Sequence, residues 1–103
     1  MLILMVAGYK QVAQKTVKKD LVFKGIENTR EGWQLKFADK NNSNWYFNAE
    51  RSNTEPYVLY SRGEDGSLKV NEKIKNNWFI INYFILKAGK MEEKIIIKVE
   101  EKK

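Results

Sequence analysis

Carboxylates and lysines are the main side chains here that could act as general acids, bases or nucleophiles, because the 103-residue chain has no histidine and no cysteine. A Ser-His-Asp or Cys-His arrangement is therefore excluded, and the usual zinc and copper ligand sets cannot be assembled. Adjacent carboxylates on a strand point to opposite faces, so such pairs do not build a two-carboxylate site. The sequence predicts no catalytic residues, no cofactor and no metal, with a carboxylate- or lysine-dependent enzyme as a minor alternative. The adjacent pairs are Glu64-Asp65, Glu92-Glu93 and Glu100-Glu101.

Aromatic side chains interleaved with basic ones form a second pattern, which points to binding. Exposed rings stack on nucleic-acid bases or sugar rings, and cations contact phosphates. Alternation places Tyr46 opposite Trp45 and Phe47, which makes Tyr46 the best candidate for an outward-facing ring. For each residue of this kind, packing in the core or at its rim is the alternative. The predicted ligand-binding residues are Tyr46, Tyr57, Tyr60, Arg51, Arg62 and Lys36.

The net charge of +6 supports nucleic-acid binding only weakly, because of where the charge lies. Residues 1–20 contain four lysines and one aspartate, which accounts for half of the excess. In residues 21–103 the two signs are interleaved, as on an ordinary solvated surface.

The first eight residues, MLILMVAG, form an apolar run that is much shorter than the about 20 residues needed to span a bilayer. A signal peptide would carry basic residues before such a run and small residues at a cleavage site after it. The leading basic residues are missing, although Val12-Ala13 resembles the end of a cleavage site. Residues 1–20 are therefore either an N-terminal arm or a remnant signal-like segment, and a periplasmic or secreted location is slightly favoured over a cytoplasmic one.

Alternating apolar residues predict β-strands in the first half of the domain. Trp33, Leu35 and Phe37 share one face of a strand over residues 32–38, and a turn over 39–44 leads into a returning strand over 45–49. In a preceding strand over 21–27 the alternation slips at Gly25, which predicts a bulge or bend there. Pro56 is expected to start a strand over 57–62.

The second half contains two further strands and one ambiguous segment. Residues 78–86 are apolar on both faces except for Asn82, which predicts a buried central strand. The last strand, residues 94–99, is expected to point Ile95, Ile97 and Val99 inward. Residues 67–77 form either a short helix or helical turn capped by Ser67, which we favour, or a strand that follows a hairpin turn at Asp65-Gly66.

This order of elements predicts a mainly β fold in one domain, residues 21–103. A small five-to-six-stranded antiparallel barrel with one short helix has the element order of an OB-fold. A β-meander that forms a sandwich or an open barrel is the alternative.

The favoured function is a non-catalytic binding or interaction module from an exported bacterial protein, with a protein or glycan as partner and no membrane span. The alternative is a cytoplasmic OB-like protein that binds single-stranded nucleic acid. The sequence does not predict an oligomeric state.

Overall fold

The computed structural model describes residues 15–102, which form seven β-strands and no helix. The interpretation of the first 20 residues as an arm or signal-like segment therefore lies largely outside the described residues. The described chain is mainly β, as the sequence predicts. The strands are β1 (Val17–Thr29), β2 (Gly32–Ala38), β3 (Asn44–Asn48), β4 (Tyr60–Arg62), β5 (Leu68–Val70), β6 (Trp78–Ala88) and β7 (Met91–Glu101).

Five of these strands form one antiparallel sheet in the order β3-β2-β1-β6-β7, and β4 pairs with β5 in a small second sheet. Two consecutive hairpins connect β1, β2 and β3, and β6 then returns to lie beside β1. A fourth strand that returns beside the first is the Greek-key arrangement.

The two edge strands of the five-stranded sheet, β3 and β7, approach one another. Just after β3, the backbone N–H of Asn53 donates to the carbonyl of Ile96 over 2.8 Å. The N–H of Ile96 donates in turn to the Ser52 hydroxyl over 2.9 Å. The sheet is therefore strongly curved, and its concave face encloses the core.

The bend predicted at Gly25 is confirmed. The pairing of β1 with β2 shifts register between Phe23 and Gly25, and Gly25 has a φ of 155°. The shift restores the alternation, so that Ile26 packs against the same core as Leu21 and Phe23.

Aromatic rings fill the centre of the core. Phe37 lies between Phe23 and Phe47, with ring centroids 5.3 and 5.5 Å away, and Phe47 contacts Tyr83 at 5.3 Å. These contacts join β1, β2, β3 and β6, so the inward alternation predicted for the β2–β3 hairpin is confirmed. Tilted and edge-on geometries of this kind add to the stabilisation from buried area.

The short helix favoured over residues 67–77 does not form, and residues 72–76 form turns after a short strand. Leu68–Val70 forms β5, which pairs with β4 through the alternative hairpin turn. The Asp65 carboxylate accepts hydrogen bonds from both the backbone N–H and the hydroxyl of Ser67, and Gly66 has a φ of 86°. These bonds commit Ser67 to the turn, so it does not cap a helix. The strand expected over 57–62 is also shorter, because Pro56 lies in a turn and β4 begins only at Tyr60.

The inward orientation predicted for Ile97 is wrong as well. Asn82 pairs with Lys98 but Tyr83 pairs with Ile96, so Ile97 is an extra residue in a bulge. Ile97 is consequently 40% exposed, whereas Ile96 is 1% exposed and lies in the core. Val99 lies in the core as predicted, whereas Ile95 is buried outside the core cluster, on the face opposite its neighbour Ile96.

Asn82 is buried, at 8% exposure, between Lys18 and Lys98 on the neighbouring strands. Its Nδ2 atom is shielded from solvent and has no hydrogen-bond partner among residues 15–102. An unpaired buried donor costs about 1–3 kcal/mol, so Asn82→Leu is expected to raise the free energy of unfolding by about this amount. Urea denaturation measures the change. Asn44→Leu, at an exposed position of β3, is the control and should change stability by less than about 0.5 kcal/mol. A destabilised Asn82→Leu variant would contradict the prediction.

Candidate functional site

An open groove of about 510 Å³ lies where two turns meet the outer face of β2 and β3, and we call it the loop groove. The end of β1 and the turn to β2 form one wall, and the turn between β6 and β7 with the first residues of β7 forms the other. The loop groove is lined by Glu27, Thr29, Glu31, Gln34, Tyr46, Lys90, Met91, Glu92, Glu93 and Lys94.

The register of the β2–β3 hairpin positions the groove's outward side chains. Lys36 pairs with Tyr46, and Gln34 pairs with Asn48, two residues further along the same face. The Asn48 amide nitrogen donates to Glu93 Oε1 over 2.9 Å, which ties the start of β7 to β3. The alternation within β2 and β3 therefore determines which of their side chains face the groove. The approach of β7 supplies the side chains on the other side.

Lys36 and Tyr46, two of the six predicted site residues, are brought together at the edge of the loop groove. Lys36 Nζ lies 3.1 Å from Glu27 Oε1. This hydrogen bond and the negative charge of Glu27 raise the pKa of Lys36, with a smaller electrostatic contribution from Tyr46. Lys36 therefore stays protonated, and its charge offsets that of Glu27.

The lining of the loop groove is acidic rather than basic, with four glutamates and two lysines. Lys36 and Lys87, which lie beside it, pair with Glu27 and Glu92 at 3.1 and 3.9 Å. The net charge of the loop groove and the residues beside it is therefore close to zero and is not positive. Gln34 contributes an amide nitrogen that is shielded from solvent and that no group in the described part of the chain hydrogen-bonds.

Among the described residues, Tyr46 is the one predicted site residue that lines the loop groove, Lys36 lies beside it, and the other four lie elsewhere. Tyr57 packs edge-on against Phe79 with centroids 5.2 Å apart, and Tyr60 also packs against the core. Arg62 donates to the carbonyl of Gly66 over 3.3 Å, within the β4–β5 hairpin. Arg51 is exposed just after β3.

Sequence reasoning missed most of the groove's residues. Gln34 has the same parity as Lys36, so alternation contained the signal for it. For the residues of β7, no local pattern indicates a position opposite Tyr46, because tertiary structure alone brings them there.

A second open depression, of about 620 Å³, lies at the other end of β2, and we call it the lysine–tryptophan depression. The start of β1, the β2–β3 turn, the start of β6 and the residue after β7 form its walls. It is lined by Lys19, Asp20, Asp39, Lys40, Asn41, Trp78 and Lys102.

Asp39 organises the β2–β3 turn beside this depression. Its Oδ1 accepts the backbone N–H groups of Asn41 and Ser43, and its Oδ2 accepts the indole N–H of Trp45 over 3.0 Å. The bonds from Ser43, Trp45 and Asn41, together with the charge of Lys19, lower the pKa of Asp39. The Asp39 carboxylate is therefore ionised, and both of its oxygens already accept hydrogen bonds.

Trp45 packs at the rim of the core rather than in its centre. The ammonium groups of Lys19 and Lys94 lie 5.4 and 5.6 Å from its ring centroid, and Tyr83 lies edge-on at 6.0 Å. Burial raises the pKa of Tyr83, so its hydroxyl stays neutral at physiological pH.

Within residues 15–102, no three acidic side chains are grouped so that they could hold a metal ion. The same part of the chain has no helix with the length and apolar character needed to cross a membrane. Comparison of the chain with protein-family models, curated proteins and solved structures finds no match.

Proposed function

We propose that this protein is a non-catalytic binding module on a small OB-like β-barrel, with the loop groove as its ligand site. The Greek-key order and the approach of β3 to β7 support an OB-like barrel, in which the β4–β5 hairpin replaces the expected helix. OB-folds bind ligands on the face of their second and third strands, between the loops joining strands one to two and four to five. In this chain, the corresponding parts are the face of β2 and β3, the β1–β2 turn and the β6–β7 turn.

The observation that carries the ligand class is the combination of one aromatic ring with carboxylates and an unpaired amide in the loop groove. Tyr46 offers a ring against which a sugar can stack, while the glutamates accept hydrogen bonds from hydroxyl groups. A ligand oxygen would give the Gln34 amide its missing partner after rotation of that side chain. An uncharged oligosaccharide fits these groups best.

Single-stranded nucleic acid is disfavoured in the loop groove on charge. Binding of a phosphate backbone depends on lysines and arginines that replace its counterions. In the loop groove, phosphates would meet four glutamates and only two lysines. An uncharged sugar incurs no such repulsion.

Titration of the protein with chitohexaose, cellohexaose and maltohexaose, followed by backbone amide NMR shifts, tests this proposal. At least one hexaose is expected to shift the amides of residues 27–34, 46 and 90–94. Tyr46→Ala should weaken that binding about tenfold or more, because it removes the ring, whereas Tyr46→Phe should retain most of it.

Trp78→Ala is the matched control, because Trp78 is also a partly exposed aromatic residue but lies outside the loop groove. The Trp78→Ala variant should bind the hexaose with the same affinity as the unmodified protein. The proposal fails if none of the three sugars shifts the groove amides, or if Trp78→Ala and Tyr46→Ala weaken binding equally.

A further inference from the structure

The lysine–tryptophan depression differs from the loop groove in its charge. Lys19 from β1, Lys40 from the β2–β3 turn and Lys102 after β7 all line it. These residues are far apart in the sequence, so their convergence is a product of the fold. Three ammonium groups face two carboxylates here, whereas glutamates outnumber lysines in the loop groove.

Both carboxylates of the depression already have partners. The two oxygens of Asp39 accept three hydrogen bonds from its own turn and from Trp45. Asp20 accepts a hydrogen bond from Lys102. A lysine ammonium has three donor hydrogens, so Lys102 can hold Asp20 and a ligand oxygen together. An entering anion would therefore find donors available from each of the three lysines.

Trp78 adds a flat apolar surface to this cationic site. It is 38% exposed, and it is one of the few large hydrophobic residues in the described chain that solvent reaches to this extent. Bases stack on such rings regardless of sequence, while neighbouring cations hold the phosphates. The volume of about 620 Å³ is within the range of small-molecule sites and accommodates a single nucleotide.

We infer that the lysine–tryptophan depression binds a nucleotide unit, with the base against Trp78 and the phosphate among Lys19, Lys40 and Lys102. A free nucleotide and one unit of a single strand present the same chemistry to these residues. The inference does not depend on the loop groove, which the sugar titration examines separately.

Anisotropy of a labelled oligothymidylate of about ten nucleotides, at about 20 mM and about 200 mM NaCl, tests the inference. Binding is expected at the lower salt concentration. With three phosphate contacts, the logarithm of the association constant should fall with the logarithm of salt concentration with a slope of about −2.

Two variants probe the two parts of the site. Trp78→Ala removes the stacking surface and should weaken oligothymidylate binding about tenfold. Lys40→Glu should weaken binding to a similar extent. It should also make the slope of the logarithm of the association constant against the logarithm of salt concentration less negative by about 0.7. Lys69→Glu is the matched control, because it makes the same charge change at an exposed lysine of β5, outside the depression.

Competition by thymidine monophosphate and by inorganic phosphate identifies the source of the ligand. Displacement by the monophosphate supports a free nucleotide, and displacement only by unlabelled oligothymidylate supports a single strand. The inference is overturned if the oligothymidylate does not bind at low salt, if Lys69→Glu weakens it as much as Lys40→Glu, or if Trp78→Ala has no effect. Equal weakening by Lys69→Glu would indicate attraction by overall charge, and an unchanged Trp78→Ala variant would indicate binding without stacking on this ring.

Discussion

Replacement of Phe37 by alanine is expected to lower the free energy of unfolding by about 3–5 kcal/mol, the usual cost of removing a fully buried phenylalanine. The loss combines buried apolar area, the cavity that remains and two aromatic contacts, with Phe23 and Phe47. Domains of this size have a total stability of about 5–15 kcal/mol, so the variant should retain only part of its stability.

Urea denaturation followed by tryptophan fluorescence measures this change. Val58→Ala is the control, because Val58 is 62% exposed and also loses apolar carbons. That variant should remain within about 0.5 kcal/mol of the unmodified protein. A loss of less than about 1 kcal/mol for Phe37→Ala would show that Phe37 is not a central core residue.

Gly25→Ala is the second substitution with a large expected effect, with a loss of about 1–3 kcal/mol. The cause is the backbone, because a φ of 155° is rarely adopted by residues with a side chain. Crowding contributes little, since an added Cβ atom would lie 3.9 Å from the nearest neighbour, Cγ2 of Val70. If the bulge shifted to relieve the strain, Ile26 would lose its contact with the core.

The same denaturation experiment tests Gly25→Ala, with Lys24→Ala as the control at the adjacent position. Within residues 15–102, the Lys24 side chain donates one exposed hydrogen bond, to Asn76, so its loss should cost less than about 1 kcal/mol. Equal stability of Gly25→Ala and the unmodified protein would mean that the bend in β1 does not require glycine.

The two ends of β2 present opposite chemistry to solvent. The loop groove at one end combines carboxylates, an amide and Tyr46, whereas the depression at the other end combines three lysines and Trp78. The overall charge of +6 is therefore unevenly distributed, because the lining of the loop groove has more glutamates than lysines and the lining of the depression has more lysines than aspartates. An uncharged sugar suits the first surface and a phosphate-bearing nucleotide suits the second.

Several features could be predicted from the sequence because short-range physics determines them. Alternation of apolar and polar residues predicted the β2–β3 hairpin with Phe37 and Phe47 inward, since successive side chains of a strand point to opposite faces. The slip in alternation at Gly25 predicted the bend because only a bulge returns Ile26 to the core. The outward placement of Lys36 and Tyr46 follows from the same alternation.

Other features were decided by tertiary structure. Three consecutive isoleucines carry no alternation, so only pairing with β6 shows that Ile97 is the bulged residue. Residues 67–70 suit either a helix start or a strand, and pairing with β4 selects the strand. The loop groove and the lysine–tryptophan depression both join residues from distant strands, as with Tyr46 beside the start of β7 and Lys19 beside Lys102. The sequence alone thus established a β-rich chain without histidine or thiol chemistry. The curvature of the sheet brings charged and aromatic side chains from distant strands together. That curvature follows from long-range strand pairing, which depends on the packing of the whole core.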